Sequence, residues 1–237
     1  MQGREFKDFI FQEIAVIAQA FSSPKRLEII DLLAQSERSV EGLAREVSLT
    51  VANTSRHLQI LKNAGMVRSR KQGVSVIYSI ADEHVLAGWK ALQTLAEKRR
   101  AEIQAVARSF FAERDELEPI SIAELQQHLN HKEIVLLDVR PAQEYENGHL
   151  PGAVSMPLAE LKSGLDKLSK RRKIVAYCRG RYCVLAAEAV AILKKAGYKA
   201  LRLEESVYEW RLAGLPVEKG NGRTPHRKKQ KRGDECR

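Results

Sequence analysis

The chain has 237 residues, of which 44% are hydrophobic and 30% are charged, and its formal net charge is +10. This length predicts about two domains, and the absence of any run of about 18 apolar residues excludes a membrane-spanning helix. The three cysteines, at positions 178, 183 and 236, are an odd number, which disfavours a disulfide framework and favours reactive thiols.

The N-terminal segment is predicted to be helical. Its start, MQGREFKDFIFQE, mixes charged residues with apolar ones and lacks a cleavage site, so it is not a signal peptide and we expect a cytoplasmic protein. Apolar residues recur at helical spacing: Phe6, Phe9, Ile10, Ile14 and Ile17. A second helix is predicted from Ser23-Pro24, because proline is favoured in a first turn, and a third from about 40 to 47.

A fourth helix begins after Thr50, which can cap it, and ends at Ala64-Gly65. Its inward positions are Thr54, Leu58 and Leu61. Its outer positions are small or hydrogen-bonding: Ala52, Asn53, Ser55, Arg56 and Gln59. A helix with such a face suits the major groove of DNA, where base edges need short polar side chains close to them.

A β-hairpin is predicted next, from Val67–Ser69 and Val74–Ile80 around residues 71–73. Alternate residues of the second strand, Val74, Val76, Tyr78 and Ile80, are predicted to lie on one face of the hairpin. Arg68, Arg70 and Lys71 lie at its rim, within a segment, 38–80, that has seven basic and two acidic residues. This segment is a candidate phosphate-binding face.

A long helix is predicted from residue 83 to about 114, with apolar residues at steps of three, four and seven that would allow it to pair with its twin. From residue 116 to 220, helices and strands alternate, which predicts an α/β domain with a parallel sheet. The last segment, 221–237, carries seven basic residues and is expected to be a disordered tail.

The stretch from residue 20 to 80 resembles the ArsR family of winged helix-turn-helix repressors, especially in SSPKRLEIIDLL and SRHLQILKNAGMV. The resemblance implies that residues 1–115 form a DNA-binding and dimerisation domain and that a homodimer binds double-stranded operator DNA. It places the recognition helix at Ala52, Asn53, Ser55, Arg56, His57 and Gln59, and the wing at Arg68, Arg70 and Lys71.

Metal-sensing members of that family place cysteines in the third helix or an Asp-x-His pair at the start of the last helix. Here the third helix, SVEGLAREV, has no thiol, and Asp82 and His84 are followed by Leu95 where a further ligand is expected. Zinc usually takes four ligands, so we predict no metal site and no cofactor.

Residues 177–184, YCRGRYCV, place two cysteines in a loop between an apolar strand and a helix. Amide groups at a helix N-terminus and nearby arginines stabilise a thiolate, so we predict that Cys178 is ionised by the loop together with Arg179 and Arg181. Cys236, near the chain end, is interpreted as incidental.

Residues 119–219 resemble a rhodanese domain, in VLLDVRPAQEYENGHLPGAVSMP and in the stretch that follows VAYCRGRYC. The resemblance implies sulfur transfer, with Cys178 taking a sulfane sulfur from thiosulfate, polysulfide or a persulfide. Two departures stand out: Cys183 replaces the usual arginine and provides a resolving thiol, and Glu205-Ser206 replaces a glycine pair and adds negative charge near the donor entrance.

Three functions remain open from the sequence. The first is a transcriptional repressor whose rhodanese-like domain senses reactive sulfur or redox state through Cys178 and Cys183. The second is a sulfurtransferase that the DNA-binding domain localises. The third is a sensor of arsenite or another metalloid, which requires Cys236 to reach the loop.

Overall fold

The computed structural model describes residues 3–112, 119–129 and 134–220, so the predicted tail lies outside the described residues. The chain divides into two units near residue 108. Within the described ranges, no helix combines the length and the apolar character needed to cross a membrane.

The first unit is a helical domain with a small antiparallel sheet. Its elements are α1 (Gly3–Phe21), α2 (Pro24–Gln35), β1 (Arg38–Ser39), α3 (Val40–Glu46), α4 (Val51–Asn63), β2 (Val67–Gln72), β3 (Ser75–Ile80), α5 (Glu83–Arg99) and α6 (Ala101–Ala112). The sheet has the order β1-β3-β2. Its core contains fully buried side chains, including Ile29, Ile30, Leu43, Leu58 and Leu61. This order of helices and strands is that of a winged helix-turn-helix.

Three details of this unit differ from the sequence prediction. The strand β1 was not predicted, because two residues are too short to show a period. Val74 does not share the inner face of the hairpin: Gln72 pairs with Ser75, so Gly73 and Val74 form a two-residue turn and Val74 is fully exposed at the tip. The predicted helix over 83–114 is broken at Arg100, whose φ of −124° and ψ of 87° lie outside the helical region.

The second unit is a parallel α/β domain. Its elements are α7 (Ile122–Leu129), β4 (Ile134–Asp138), α8 (Ala142–Asn147), β5 (Val154–Ser155), α9 (Leu158–Gly164), a 3-10 turn (Leu165–Lys167), β6 (Lys173–Tyr177), α10 (Val184–Lys195), β7 (Ala200–Arg202) and α11 (Val207–Leu212). The parallel sheet has the order β5-β4-β6-β7. β4 and β6 have the predicted bounds, whereas the short α8, β5 and α11 were not predicted.

The sheet determines where the cysteine loop lies. β6 is a central strand, and four of its five residues are buried, from Ile174 to Tyr177. Such a strand reads as a continuous apolar run. The chain leaves β6 at its carboxyl end, forms the loop 178–183 and enters α10, so the loop lies at the edge where ligands of parallel sheets usually bind.

Candidate DNA surface and cysteine loop

The helix α4 has the predicted inner and outer faces. The Thr50 side chain accepts a hydrogen bond from the Asn53 N–H at 3.2 Å and thereby caps the helix. Thr54, Leu58 and Leu61 are buried. The outer face is exposed at Ala52, Asn53, Ser55, Arg56 and Gln59, so short polar side chains line the first turns of a capped helix.

His57 stands apart from the rest of the predicted recognition set. It is only partly exposed, and its buried Nδ1 atom has no hydrogen-bond partner among the described residues. Burial, together with the positive charges of Arg26 and Arg56, lowers the pKa of His57. The imidazole is therefore neutral at physiological pH and adds no charge to the DNA-facing surface.

The three basic residues of the predicted wing have different surroundings. Arg68 and Lys71 are exposed on β2. Arg70 forms an ion pair with Glu37 and donates from Nη1 to Gln72 Oε1 at 2.8 Å. The charge of Arg70 is therefore partly offset, whereas Arg68, near the start of β2, and Lys71, near the wing tip, are exposed to solvent.

Asp82 and His84 have a structural role at the start of α5. The Asp82 carboxylate accepts a hydrogen bond from the His84 N–H at 2.9 Å and caps the helix. Within residues 3–112, 119–129 and 134–220, no group of three or more His, Cys, Asp or Glu side chains could hold a metal ion.

The cysteine loop places two thiols at different depths. Cys178 is 1% exposed, whereas Cys183, the N-cap residue of α10, is partly exposed. The Cys178 thiol donates to the Cys183 carbonyl oxygen, which lies 3.6 Å from its Sγ. The loop turns at Gly180, whose φ of 114° is rarely adopted by residues with a side chain.

Backbone N–H groups reach both sulfurs rather than converging on Cys178. Those of Gly180 and Ala186 face the Cys178 sulfur, and those of Arg179 and Leu185 face the Cys183 sulfur. Burial raises the pKa of Cys178 well above its ordinary value. The hydrogen bond from Cys178, aided by the two amides, lowers the pKa of Cys183 to about 7.

This distribution differs from the sequence prediction, which placed the negative charge on Cys178. Desolvation disfavours a thiolate at the deeper position, and the helix N-terminus favours one at the shallower position. Burial thus disfavours a negative charge on Cys178, and the side-chain hydrogen bond and the amides favour one on Cys183.

The loop arginines are paired with carboxylates, although the charge of Arg179 also contributes to the lowered pKa of Cys183. Arg179 makes a bidentate ion pair with the buried Glu144, with Nη2 to Oε1 at 2.6 Å and Nε to Oε2 at 3.2 Å. Arg181 pairs through Nε with Glu204 Oε1 at 2.9 Å. Each guanidinium charge is thus offset by a carboxylate from another segment, which local sequence patterns do not reveal.

Comparisons with known proteins agree with both halves of this architecture. The profile of the bacterial regulatory protein, arsR family, matches residues 23–69, and that of the rhodanese-like domain matches residues 121–213. The HTH-type transcriptional regulator Rv0324 of Mycobacterium tuberculosis is 40% identical over 214 residues, which are 90% of this chain and 94% of that protein. The chain is a transcriptional regulator of the ArsR family that carries a rhodanese-like domain.

Other relatives match one half of the regulator. A sulfurtransferase of Allochromatium vinosum is 29% identical over 36% of this chain and 79% of its own length. A solved structure of the homodimeric winged helix-turn-helix DNA-binding domain of Mb0332 from Mycobacterium bovis is 33% identical over 42% of this chain and 91% of that domain, with a TM-score of 0.39.

In this regulator, a buried ion pair orders the segment that carries Glu144. Asp138 and Arg140 have no exposed side-chain surface, and Arg140 Nη2 lies 2.6 Å from Asp138 Oδ2. The same Nη2 donates to the Gly148 carbonyl at 2.7 Å, at the C-terminal end of α8. Loss of either charge would leave the other buried without its partner, a change that is strongly destabilising.

The Glu205-Ser206 departure has a different effect from the one predicted. The Glu205 carboxylate accepts a hydrogen bond from the Ile122 N–H at 3.1 Å, at the start of α7, and burial raises its pKa. Ser206 is buried, and a Cβ at Gly180 would lie 3.4 Å from Ser206 Cβ and from Glu209 Oε2. Besides Glu144 and Glu204, which pair with the loop arginines, Glu209 is therefore a further acidic residue close to the loop.

Proposed function

We propose that this regulator is a cytoplasmic homodimeric repressor that binds operator DNA. Its cysteine loop senses reactive sulfur or thiol redox state. The observation that carries the proposal is the contact between Cys178 and Cys183. The Cys178 Sγ lies 3.6 Å from the Cys183 carbonyl oxygen, amide groups face both sulfurs, and the pKa of Cys183 is lowered to about 7. Such a pair is prepared to react with an electrophilic sulfur compound at neutral pH.

DNA recognition is assigned to α4 and the wing. The exposed polar side chains of α4 begin immediately after the Thr50 cap, where a recognition helix contacts base edges. Arg68 and Lys71 supply exposed positive charge on β2 for the phosphate backbone. His57 is assigned to the interior edge of this helix, because its buried Nδ1 points away from solvent.

Dimerisation is assigned to α1. Apolar residues cover much of this helix and are between 39% and 66% exposed in one chain: Phe6, Phe9, Ile10, Phe11, Ile14, Val16 and Ile17. A patch of this kind is costly to leave in water and is typical of an interface. A second copy of the chain is the occupant that fits, because a two-fold operator requires two recognition helices.

The proposed sensing reaction has two steps, persulfide formation on Cys183 and disulfide formation with Cys178. The Cys183 thiolate attacks the outer sulfur of a hydropersulfide R–S–SH, the S–S bond breaks, R–S⁻ leaves, and Cys183–S–SH is formed. Cys178 then attacks the Cys183 Sγ, and HS⁻ leaves with the Cys178 proton as H₂S. The sulfane sulfur is reduced to sulfide, and the two cysteines are oxidised to a disulfide.

A gel shift at fixed salt tests this proposal, with an operator selected from random duplexes by the reduced protein. Hydropersulfide treatment is expected to weaken operator binding of the wild type at least tenfold and to remove two hydrogens from the loop peptide by mass spectrometry. Cys178→Ser and Cys183→Ser should bind DNA when reduced but lose the response. Cys236→Ser is the matched control and should respond like the wild type.

Two results would contradict the proposal. An equal loss of affinity in all three variants would place the reactive group outside the loop. A disulfide that forms without any change in operator affinity would separate the thiol chemistry from DNA binding.

A second candidate function, a sulfurtransferase, is favoured by the rhodanese-like match over residues 121–213. Steady formation of thiocyanate from a sulfane donor and cyanide would support it, whereas one equivalent per chain would support the sensor. The metalloid hypothesis depends on Cys236, which lies outside the described residues.

A further inference from the structure

The charges around the cysteine loop are balanced by residues from other segments. Arg179, which is 15% exposed, is held by the bidentate contact with Glu144. Arg181 is held by Glu204, and this pair is more open, with 37% and 29% of the two side chains exposed. An anionic donor that approaches the loop therefore meets a carboxylate beside each guanidinium group.

Two further charged side chains lie against the loop. Arg202 is buried and donates from Nη1 to the Arg181 carbonyl at 3.2 Å. The Glu209 carboxylate approaches Gly180 and accepts a hydrogen bond from the Ser206 N–H at 2.8 Å. Because these charges have opposite signs, they do not restore a positive potential to the loop.

The backbone N–H groups around the loop already interact with the two cysteine sulfurs. The N–H groups of Gly180 and Ala186 face one sulfur, and those of Arg179 and Leu185 face the other. Binding of a dianion requires several donors that converge on its oxygen atoms. In this loop, such a ligand would compete with two sulfurs for the same amides.

We infer that the loop takes sulfur from donors that carry little or no charge, such as organic polysulfides, and that Glu204 contributes to the exclusion of the dianion thiosulfate. This inference rests on the proposed sensing function. With an uncharged trisulfide R–S–S–S–R, the Cys183 thiolate forms Cys183–S–S–R and releases R–S–S⁻. Cys178 then attacks the Cys183 Sγ and releases R–S⁻ with its proton as R–SH, which leaves the intramolecular disulfide.

The test measures the rate of disulfide formation by mass spectrometry, with dimethyl trisulfide as the uncharged probe and thiosulfate as the dianion, in the full chain. Glu204→Gln removes one negative charge beside Arg181 and should raise the thiosulfate rate roughly tenfold at low salt, with an unchanged trisulfide rate. Added salt should shrink the gain. Glu188→Gln, an exposed acidic residue on α10, removes the same charge away from these ion pairs and should change neither rate.

The outcomes distinguish a failure of this inference from a failure of the proposed sensing function. A thiosulfate rate that is unchanged in Glu204→Gln would overturn the inference. An equal rise with both donors would also overturn it, since the substitution would then act on the thiols rather than on donor charge. If neither donor forms the disulfide in any protein, the sensing proposal falls and this inference falls with it.

Discussion

At the residue scale, the central feature is that two neighbouring thiols have opposite environments. Burial raises the pKa of Cys178, whereas the pKa of Cys183, at the start of α10, is lowered to about 7. The two shifts depend on each other, because Cys178 can donate to Cys183 only while it remains protonated. The acidity of the loop is therefore a property of the pair.

Cys178→Ala is expected to raise the pKa of Cys183 from about 7 toward the ordinary thiol value. The substitution removes the hydrogen bond that contributes most to the low pKa but keeps the amides of Arg179 and Leu185. The first unit of rise lowers the ionised fraction at pH 7 roughly fivefold, and a second unit lowers it roughly tenfold more. The pH dependence of Cys183 alkylation, measured in a Cys236→Ala background, checks this outcome. An unchanged profile would mean that the amides alone set the acidity.

The sequence locates the cysteine loop but not its charge environment. Local features identify the loop, since the apolar run of β6, the glycine and the helix α10 follow one another along the chain. The partners of its arginines come from elsewhere: Glu144 is 35 residues from Arg179, and Glu204 follows β7. Burial, which decides between Cys178 and Cys183, also depends on the whole fold and not on neighbouring residues.

At the element scale, the wing shows how pairing between strands sets the exposure of each charge. β2 and β3 pair from Val67↔Ile80 to Gln72↔Ser75, so the turn falls at Gly73 and Val74 rather than at residues 71–73 as predicted. A shift of one position in a hairpin is difficult to infer from alternation alone, because several registers preserve the same pattern. Consequently, Lys71 lies on the strand near the tip instead of in the turn.

Lys71→Ala is expected to lower the slope of log affinity against log salt concentration by about 0.9, the contribution of one phosphate contact. Arg70→Ala should lower it less, because Glu37 already offsets part of the Arg70 charge. Gel shifts over a salt series measure both slopes. The control is Lys199→Ala, which removes an exposed charge in the rhodanese-like unit. An equal effect of Lys199→Ala would indicate a loss of net charge rather than a wing contact.

At the scale of the whole molecule, apolar periodicity predicts helices well but does not reveal where they end or what covers them. Residues 83–112 keep helical spacing, yet the helix stops at Arg99 and resumes at Ala101. The apolar residues of α1 were predicted as one helical face, but in a single chain they remain exposed. The sequence therefore indicates which residues avoid water, and the fold shows which of them still need a partner.

Phe9→Glu is expected to convert the proposed homodimer into monomers. Phe9 is 52% exposed in one chain, and the two-fold symmetry of a dimer places the new charge at the interface twice. The dissociation constant should rise roughly 100-fold or more, as lost apolar burial in both copies predicts. Sedimentation velocity measures the change. Val74→Glu, which replaces an exposed apolar residue at the wing tip, should leave the dimer intact, and a dimeric Phe9→Glu protein would remove α1 as the interface.

Under the proposed sensing function, the lowered pKa of Cys183 would make the response of the regulator depend on intracellular pH. When the interior is one pH unit more acidic than a midpoint of about 7, on the order of a tenth of the population remains ionised. At the same concentration of a reactive sulfur compound, Cys183 would then react about five times more slowly than at pH 7. Acid stress alone should therefore delay derepression, even while the DNA-binding domain stays fully folded.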